Sequence, residues 1–372
     1  MPEKQISYIG SKSIFKLTSL LQNKGYKNVF LVRAKKSFEL SGAKSLFDDL
    51  TDKLNLNIIE FFDFSENPKV EDLKIGLSLL SEKNIDLIIA VGGGSVIDMA
   101  KLIRFFYSYS GDFTGRDFQK EKNIIPLVAI PTTAGTGSEA THFAVLYKDK
   151  VKYSVAHKDI LPDYAIIYPP LTYSTPKNLT ATTGFDALAQ AIEAYWNVNA
   201  TDESDEYAVK AIKLLWQNLP EVVNNPTDRI RNKVSEGAYW AGKAINITKT
   251  TAPHALSYAF TSYYNIPHGN AVALTFPFFM KYNLIIPQDE YCGVISLEKY
   301  NLKMKYLMNL LEIKSEDEIY DKFNDYITKL QLSTDSHKNV NIDIIINNVN
   351  IERANNNPRK ITRHSLKNLL VC

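Results

Sequence analysis

The chain of 372 residues contains only two cysteines, Cys292 and Cys372. Two thiols cannot build a disulfide framework, so a reducing compartment, the cytoplasm, is expected. No apolar run reaches the roughly 20 residues that span a bilayer, and the opening MPEKQISYIGSKS lacks the apolar centre of a secretory signal. Charge of one sign is also missing. Lysine and arginine (43) nearly balance aspartate and glutamate (41), leaving a net charge of +2. So weak a field gives no footprint for nucleic acid or an anionic membrane. What remains is 45% hydrophobic and 23% charged, the composition of a globular chain, and the length suits two domains.

The first half alternates strand-like apolar runs with helical patterns. KNVFLVRA (27–34) and NLNIIEFFDF (55–64) read as strands, and EDLKIGLSLLSEKN (71–84) has helical periodicity. IDLIIAVGGGS (85–95) is a strand ending in glycines, followed by the helix-like VIDMAKLIRFFYSY; NIIPLVAIPTTAGTGSEAT (123–141) runs from a strand into a Thr/Gly loop. Such alternation predicts a parallel, Rossmann-like sheet covered on both faces. Beyond about residue 178 strand signals nearly vanish and amphipathic helices follow one another, so the domain division is expected in STPKNLT (174–180), giving an α/β domain over 1–178 and an all-α domain over 179–372. The Asn-rich stretch 336–360 still carries recurring apolar residues and reads as packed turns and short helices.

Three consecutive glycines in VGGGS (91–95) exceed what a tight strand–helix turn needs. They let a phosphate approach the backbone at Gly93, Gly94 and Ser95, where a helix start offers unpaired N–H groups. The spacing is not the G-x-G-x-x-G fingerprint. Asp98, one turn on, either reaches a ribose or nicotinamide or compensates the helix dipole. PTTAGTGSEAT (131–141) presents Thr132, Thr133, Thr136 and Ser138 as donors or as ordinary loop and cap hydroxyls. Two such loops after strands favour a nucleotide, because open α/β sheets bind ligands at strand carboxyl ends. In TTGFDALAQAIEAYW (182–196), Asp186 and Gln190 share one helix face. His254 and His268 each sit at a helix start, in TTAPHALSYAF and NIPHGNAVALTF. Alone, each is as readily a capping or surface residue; together with Asp186 and Gln190 they can converge on one divalent ion.

These segments together resemble the iron-containing (group III) alcohol dehydrogenase family. GGGSVIDMAK, IPTTAGTGSEAT, GFDALAQAIEAY, PHALSYAF and IPHGNAVAL stand in the family's order and spacing, over nearly the whole chain. The resemblance implies a dinucleotide-binding α/β domain, a helical domain and a metal between them. It also implies Asp186, His254 and His268 as catalytic residues and metal ligands. The fourth ligand, ordinarily histidine, is Gln190, whose amide oxygen still suits a hard divalent ion; a retained, weaker site is expected. Fe2+ is the expected ion and Zn2+ the alternative.

DALAQAIEAYWNVNATDES, VKYSVAHKDILPDYAII and AGKAINITKTTAPHALSY resemble the branch that reduces phosphonoacetaldehyde to 2-hydroxyethylphosphonate. A phosphonate dianion needs several donors. Lys249, Thr250 and Thr251 are expected to bind it, with added charge from His157 and from Lys152, which is also placed among the cofactor contacts. The implied chemistry is hydride transfer from NADPH or NADH to an aldehyde; the proton donor is left open between water and a nearby histidine, with His142 and His157 as candidates. The substrate is then a small aldehyde or alcohol bearing a phosphonate, and the assembly a homodimer. A reductase of another small aldehyde, a dehydroquinate synthase-like lyase and a non-catalytic nucleotide-binding protein are the alternatives. Ala34 occupies the place where the family often carries an acid that holds the adenosine ribose, flanked by Arg33, Lys35 and Lys36. Without that carboxylate, NADPH is expected to serve at least as well as NADH.

Overall fold

The computed structural model describes residues 5–149, 151–332, 340–349 and 351–371. Cys372, the first four residues of the opening stretch, and positions 336–339 and 350 of the Asn-rich segment lie outside the described residues. The chain divides into two compact units at Thr175/Pro176, inside the stretch STPKNLT (174–180).

The first unit runs β1 (Ile6–Ile9), α1 (Phe15–Lys24), β2 (Asn28–Arg33), α2 (Lys36–Leu40), α3 (Ala43–Leu54), β3 (Asn57–Phe61), α4 (Val70–Ser81), β4 (Leu87–Gly92) and α5 (Gly94–Ser108). It continues through the short strands β5 (Tyr109–Ser110) and β6 (Gln119–Lys120), then β7 (Leu127–Pro131), β8 (Phe143–Lys148), β9 (Val151–Ala156) and β10 (Tyr164–Ile167). Six strands form one parallel sheet in the order β1-β10-β7-β4-β2-β3. The run LIIAV is apolar without alternation because β4 is central and buried on both faces. Ile88 and Ala90 pack on one side with α4 and α5, while Leu87, Ile89 and Val91 pack on the other with α1 and α3. From β2 the chain moves outward to β3, then returns to β4 and proceeds the opposite way to β7 and β10. The direction reverses between β2 and β4. Ligands of open α/β sheets bind at such a reversal, beyond the strand carboxyl ends.

A buried polar knot fixes the loop after β7. Lys101, fully buried on α5, donates to the Ser138 carbonyl (2.8 Å), Ser138 Oγ (3.1 Å), Thr141 Oγ1 (3.0 Å) and the Phe143 carbonyl (2.6 Å). Asp98, one turn earlier, accepts from Ser138 Oγ and from the Val145 N–H at 2.9 Å. Burial lowers the Lys101 pKa to about 8 against the pull of Asp98 and Glu139. Burial likewise pushes the carboxyl of neighbouring Glu139 up to about 7.

The second unit is helical: α6 (Lys177–Trp196), α7 (Asp202–Asn224), α8 (Asp228–Thr248), α9 (Ala252–Tyr264), α10 (His268–Leu284), α11 (Leu297–Leu310), α12 (Ile319–Lys329), α13 (Ile342–Asn347), α14 (Ile351–Ala354) and α15 (Arg363–Val371). Helix α6 is buried on every side over its last three turns and packs against α7, α8 and α10. Helix α7 starts in a capping box between Thr201 and Ser204, with Asp202, Glu203 and Asp205 on the positive end of its dipole. Among the described residues no helix is long and apolar enough to cross a membrane.

A pH prediction follows from the knot. Glu139 has a folded pKa above its unfolded value, so its contribution favours folding most below about pH 4.5 and is given up as pH rises towards 7. Glu139→Gln should flatten the fall in stability across that window. Urea denaturation of both proteins at pH 5 and pH 7.5 checks it, and parallel pH dependences would refute it.

Candidate active site

The polar residues of α6 fall on one stripe. Asp186, Gln190, Glu193 and Asn197 recur at helical spacing, are all buried, and stand on or just beyond a helix otherwise lined by Phe185, Leu188, Ile192 and Trp196. Each must therefore find a partner or cost stability. The partners come from the starts of α9 and α10. Gly269 lets α10 begin directly on α6, since a Cβ there would lie 2.0 Å from the Thr182 carbonyl oxygen. Pro253 and Pro267 help set the two helix starts.

The result is a tight group. Asp186 Oδ1 lies 3.0 Å from His254 Nε2 and 3.5 Å from His268 Nε2. Candidate ligand atoms of Asp186, His254 and His268 all fall within 4.8 Å of one another. Gln190 Nε2 donates to Asp186 Oδ2 at 3.0 Å, leaving Gln190 Oε1 buried with no hydrogen-bond partner. The other face of each histidine is held. His254 Nδ1 makes a short contact with Glu193 Oε1. Ser257 Oγ gives its proton to the His254 carbonyl (2.8 Å) and so accepts from His268 Nδ1 (3.2 Å). Both rings thereby turn Nε2 towards Asp186. Burial would lower the His254 pKa, but Glu193, aided by Asp186, outweighs it and raises the pKa well above the ordinary range. Tyr258 stacks on His268 with centroids 5.4 Å apart. The side chain of His268 is 34% exposed, against 3% for His254 and 5% for Asp186.

Glu193 and Ser257 were not picked out from sequence. Glu193 was within reach, seven residues after Asp186 on the same face.

The link from α8 to α9 carries the residues expected to meet the substrate. Lys249 caps α8 with φ 63° and ψ −173°, a region almost confined to glycine that costs a side-chain-bearing residue about 1–3 kcal/mol. Its carbonyl accepts from Asn197 Nδ2 (3.2 Å) and Thr248 Oγ1 (2.8 Å), which hold the peptide in place. The Lys249 side chain is exposed and Thr250 is half-buried. Thr251 is a correction: it is fully buried, its N–H and hydroxyl both donate to Glu193 Oε2 (2.6 and 2.7 Å), and Trp196 Nε1 donates to its oxygen. It organises the link and has no face left for a substrate. His157 is a second correction. Its Nδ1 accepts from the Asp159 N–H, its ring packs against Phe105 and Tyr109, and burial lowers its pKa, so it adds no positive charge. His142, edge-on to Phe143, and Lys152, opposite Tyr147 in the β8–β9 hairpin, also belong to the first unit.

The nucleotide candidates cluster at the strand ends beside the reversal. A Cβ at Gly94 would strike Thr136 Oγ1 at 2.6 Å, whereas one at Gly93 would meet only ordinary contacts with Thr133 at 3.6 Å and beyond. The backbone at Gly93 is thus open to an approaching group at the start of a 15-residue helix. Thr132 Oγ1 is buried without a partner in the adjoining loop. Ser95 Oγ accepts from the Asn67 N–H. Asp98 and Ser138 are corrections, because the Lys101 knot consumes both. Around Ala34 the expected free cations are partly neutralised. Arg33 pairs with Glu60 at 2.7 Å and lies over Phe62, and Lys35 pairs with Asp63 at 2.5 Å. Lys36 makes no ion pair with a described residue.

Family models match both units: "Iron-containing alcohol dehydrogenase" over residues 5–169 and "Fe-containing alcohol dehydrogenase family, C-terminal" over residues 180–371. The chain belongs to the iron-containing alcohol dehydrogenases. Long-chain-alcohol dehydrogenase 1 of Geobacillus thermodenitrificans is 33% identical over 287 residues, 74% of this chain and 71% of that protein. 1,3-Propanediol dehydrogenase of Citrobacter freundii is 31% identical over 301 residues, covering 78% and 76%. The crystal structure of sulfoacetaldehyde reductase from Bifidobacterium kashiwanohense in complex with NAD+ superposes with a TM-score of 0.86 at 28% identity, covering 99% of this chain and 96% of that one.

The protein is accordingly an oxidoreductase acting on alcohols and aldehydes, in a family that uses NAD(H) and Fe2+. The lyase and non-catalytic alternatives give way to this reading. The side chains present fit both groups. Gln190 Oε1 is an orphaned acceptor, which costs about 1–3 kcal/mol when nothing meets it, beside a carboxylate and two histidines with Nε2 turned inward. Two oxygen and two nitrogen donors suit a divalent ion of intermediate hardness. The open Gly93 backbone and the orphaned Thr132 hydroxyl suit a phosphate.

Gly269→Ala tests how the group is assembled. A methyl against a backbone carbonyl cannot be relieved by a rotamer, so stability should fall by about 1–3 kcal/mol and His268 should be displaced. Urea denaturation and elemental analysis for iron read both effects; wild-type values for each would contradict the packing account.

Proposed function

We propose that the protein reduces a small aldehyde carrying a phosphonate, phosphonoacetaldehyde, to 2-hydroxyethylphosphonate, with NADH or NADPH as reductant. In this reading Asp186, Gln190, His254 and His268 hold the iron. When bound, the nicotinamide supplies the hydride and the iron draws electron density from the carbonyl oxygen. Asp186 provides the negative charge of the ion site. Glu193 and Ser257 aim the two imidazoles, and the exposed edge of His268 marks the side from which the aldehyde enters. The first unit binds the nucleotide at Gly93, Gly94, Thr132 and Thr133. Lys36 is the cation left for a 2′-phosphate, which keeps NADPH in the proposal alongside NADH. The proposed assembly is a homodimer, with phosphonate biosynthesis as the setting.

The observation that carries the substrate reading is Lys249. A lysine is held in a backbone conformation suited to glycine, five residues before His254, with its peptide pinned by Asn197 and Thr248. Strain that persists against a cheaper residue points to a use for the side chain, and an ammonium beside Thr250 suits an anionic headgroup. The sulfoacetaldehyde reductase neighbour supports the same chemistry, a two-carbon aldehyde bearing an acid group. The relative named for 1,3-propanediol favours a second reading, a small neutral aldehyde.

Lys249→Gly separates the two. It relieves the strained φ, so thermal stability should rise, by up to about 1–3 kcal/mol. It also removes a charge-assisted contact worth about 1.5–3 kcal/mol, so KM for phosphonoacetaldehyde should rise roughly ten- to hundredfold while KM for propionaldehyde stays near wild type. Equal effects on the two aldehydes would favour the neutral substrate.

A further inference from the structure

The mechanism uses His254 through Nε2, which requires its proton on Nδ1. We infer that Glu193 is the positioning residue that enforces this, and that it does so with a carboxylate that an amide cannot replace. Glu193 is fully buried and each oxygen has a separate task. Oε2 accepts two hydrogen bonds from Thr251, N–H at 2.6 Å and Oγ1–H at 2.7 Å. Oε1 faces His254 Nδ1. A carboxylate only accepts, so the proton on the facing ring nitrogen must belong to the histidine. Nε2, which gives its proton to Asp186 Oδ1 at 3.0 Å while no ion is bound, is then the nitrogen that loses its proton and offers a lone pair when an ion binds. The arrangement follows the general rule that a histidine ligand gives its other N–H to a carboxylate, which fixes ring and tautomer.

Glutamine at 193 would keep the shape and reverse the chemistry. The Thr251 N–H can only donate, so the amide oxygen must take the Oε2 position. The amide NH2 then faces His254 Nδ1 and forces it to accept. That moves the ring proton to Nε2, where it blocks ligation. The link between α8 and α9 keeps both Thr251 hydrogen bonds, so the fold stays intact while the ligand is disabled. A purely structural Glu193 predicts the opposite, an unchanged metal site in the isosteric variant.

The inference rests on the reading of His254 as an iron ligand, and the experiment distinguishes failure of either. Metal-free wild type and Glu193→Gln are titrated with Co2+ against a competing chelator, with thermal midpoints and NAD+ binding measured in parallel. The expected result is Co2+ binding by wild type, a loss of about 10–100-fold in affinity for Glu193→Gln, and NAD+ affinity unchanged. Wild type that fails to bind Co2+ overturns the ligand reading itself. Wild type and variant that bind Co2+ equally overturn the role of Glu193 alone. Should Glu193→Gln not fold, Glu193→Asp carries the test, because an acceptor-only group keeps the proton on Nδ1. Co2+ binding should then persist, and a folded Glu193→Asp protein that binds none contradicts the inference.

Discussion

The second unit is organised by the need to satisfy one buried polar stripe. Helix α6 runs through the helical core, yet it carries two carboxylates and an amide, with a further amide at its C-cap, on a single face. Left unpaired, such groups would outweigh much of a domain's net stability. The fold answers with the starts of α9 and α10 and the link before them. Glu193 takes Thr251 and His254, Asn197 takes the Lys249 carbonyl, and Asp186 faces both histidines. Only Gln190 Oε1 stays unanswered by protein. That single gap, on the amide whose NH2 donates to Asp186, is what a cation held by Asp186, His254 and His268 would fill in the proposed function.

In the proposed function the same stripe ties the ion site to substrate choice. Thr251 is held by Glu193 two residues after Lys249, and Lys249 is held strained by Asn197 one turn further along the α6 axis. A change that loosens Glu193 therefore reaches both the His254 ring and the lysine proposed to read the headgroup. In the first unit the corresponding device is the Lys101 knot, which fixes the Thr/Gly loop against α5 and leaves the Gly93 backbone open and the Thr132 hydroxyl without a partner, the two groups proposed to meet the nucleotide.

Much of this was legible in the sequence because it is local. The uninterrupted apolar run of β4, the glycines after it and the helical spacing of Asp186 and Gln190 each report their own surroundings. The remainder depends on pairings across the chain. β1 is a four-residue edge strand whose partner, β10, lies more than 150 residues away, and neither announces itself. Thr251 looks like a substrate donor in TKTTAPH until Glu193, 58 residues earlier, claims it. Asp98 and Ser138 look like nucleotide contacts until Lys101 joins them. Arg33 and Lys35 look like free cations until the parallel pairing of β2 with β3 brings Glu60 and Asp63 alongside. In each case the residue type was informative and a partner distant in sequence decided its use.

The central claim is that the orphaned oxygen of Gln190 completes one cation site with Asp186, His254 and His268. Crystals grown with Fe2+ and measured on both sides of the iron absorption edge test it directly. The account predicts a single anomalous peak within bonding distance of Gln190 Oε1, an Asp186 carboxylate oxygen and Nε2 of both histidines. An ion bound by Asp186 and the histidines with the Gln190 oxygen turned away, or no peak among these residues at saturating iron, would contradict it.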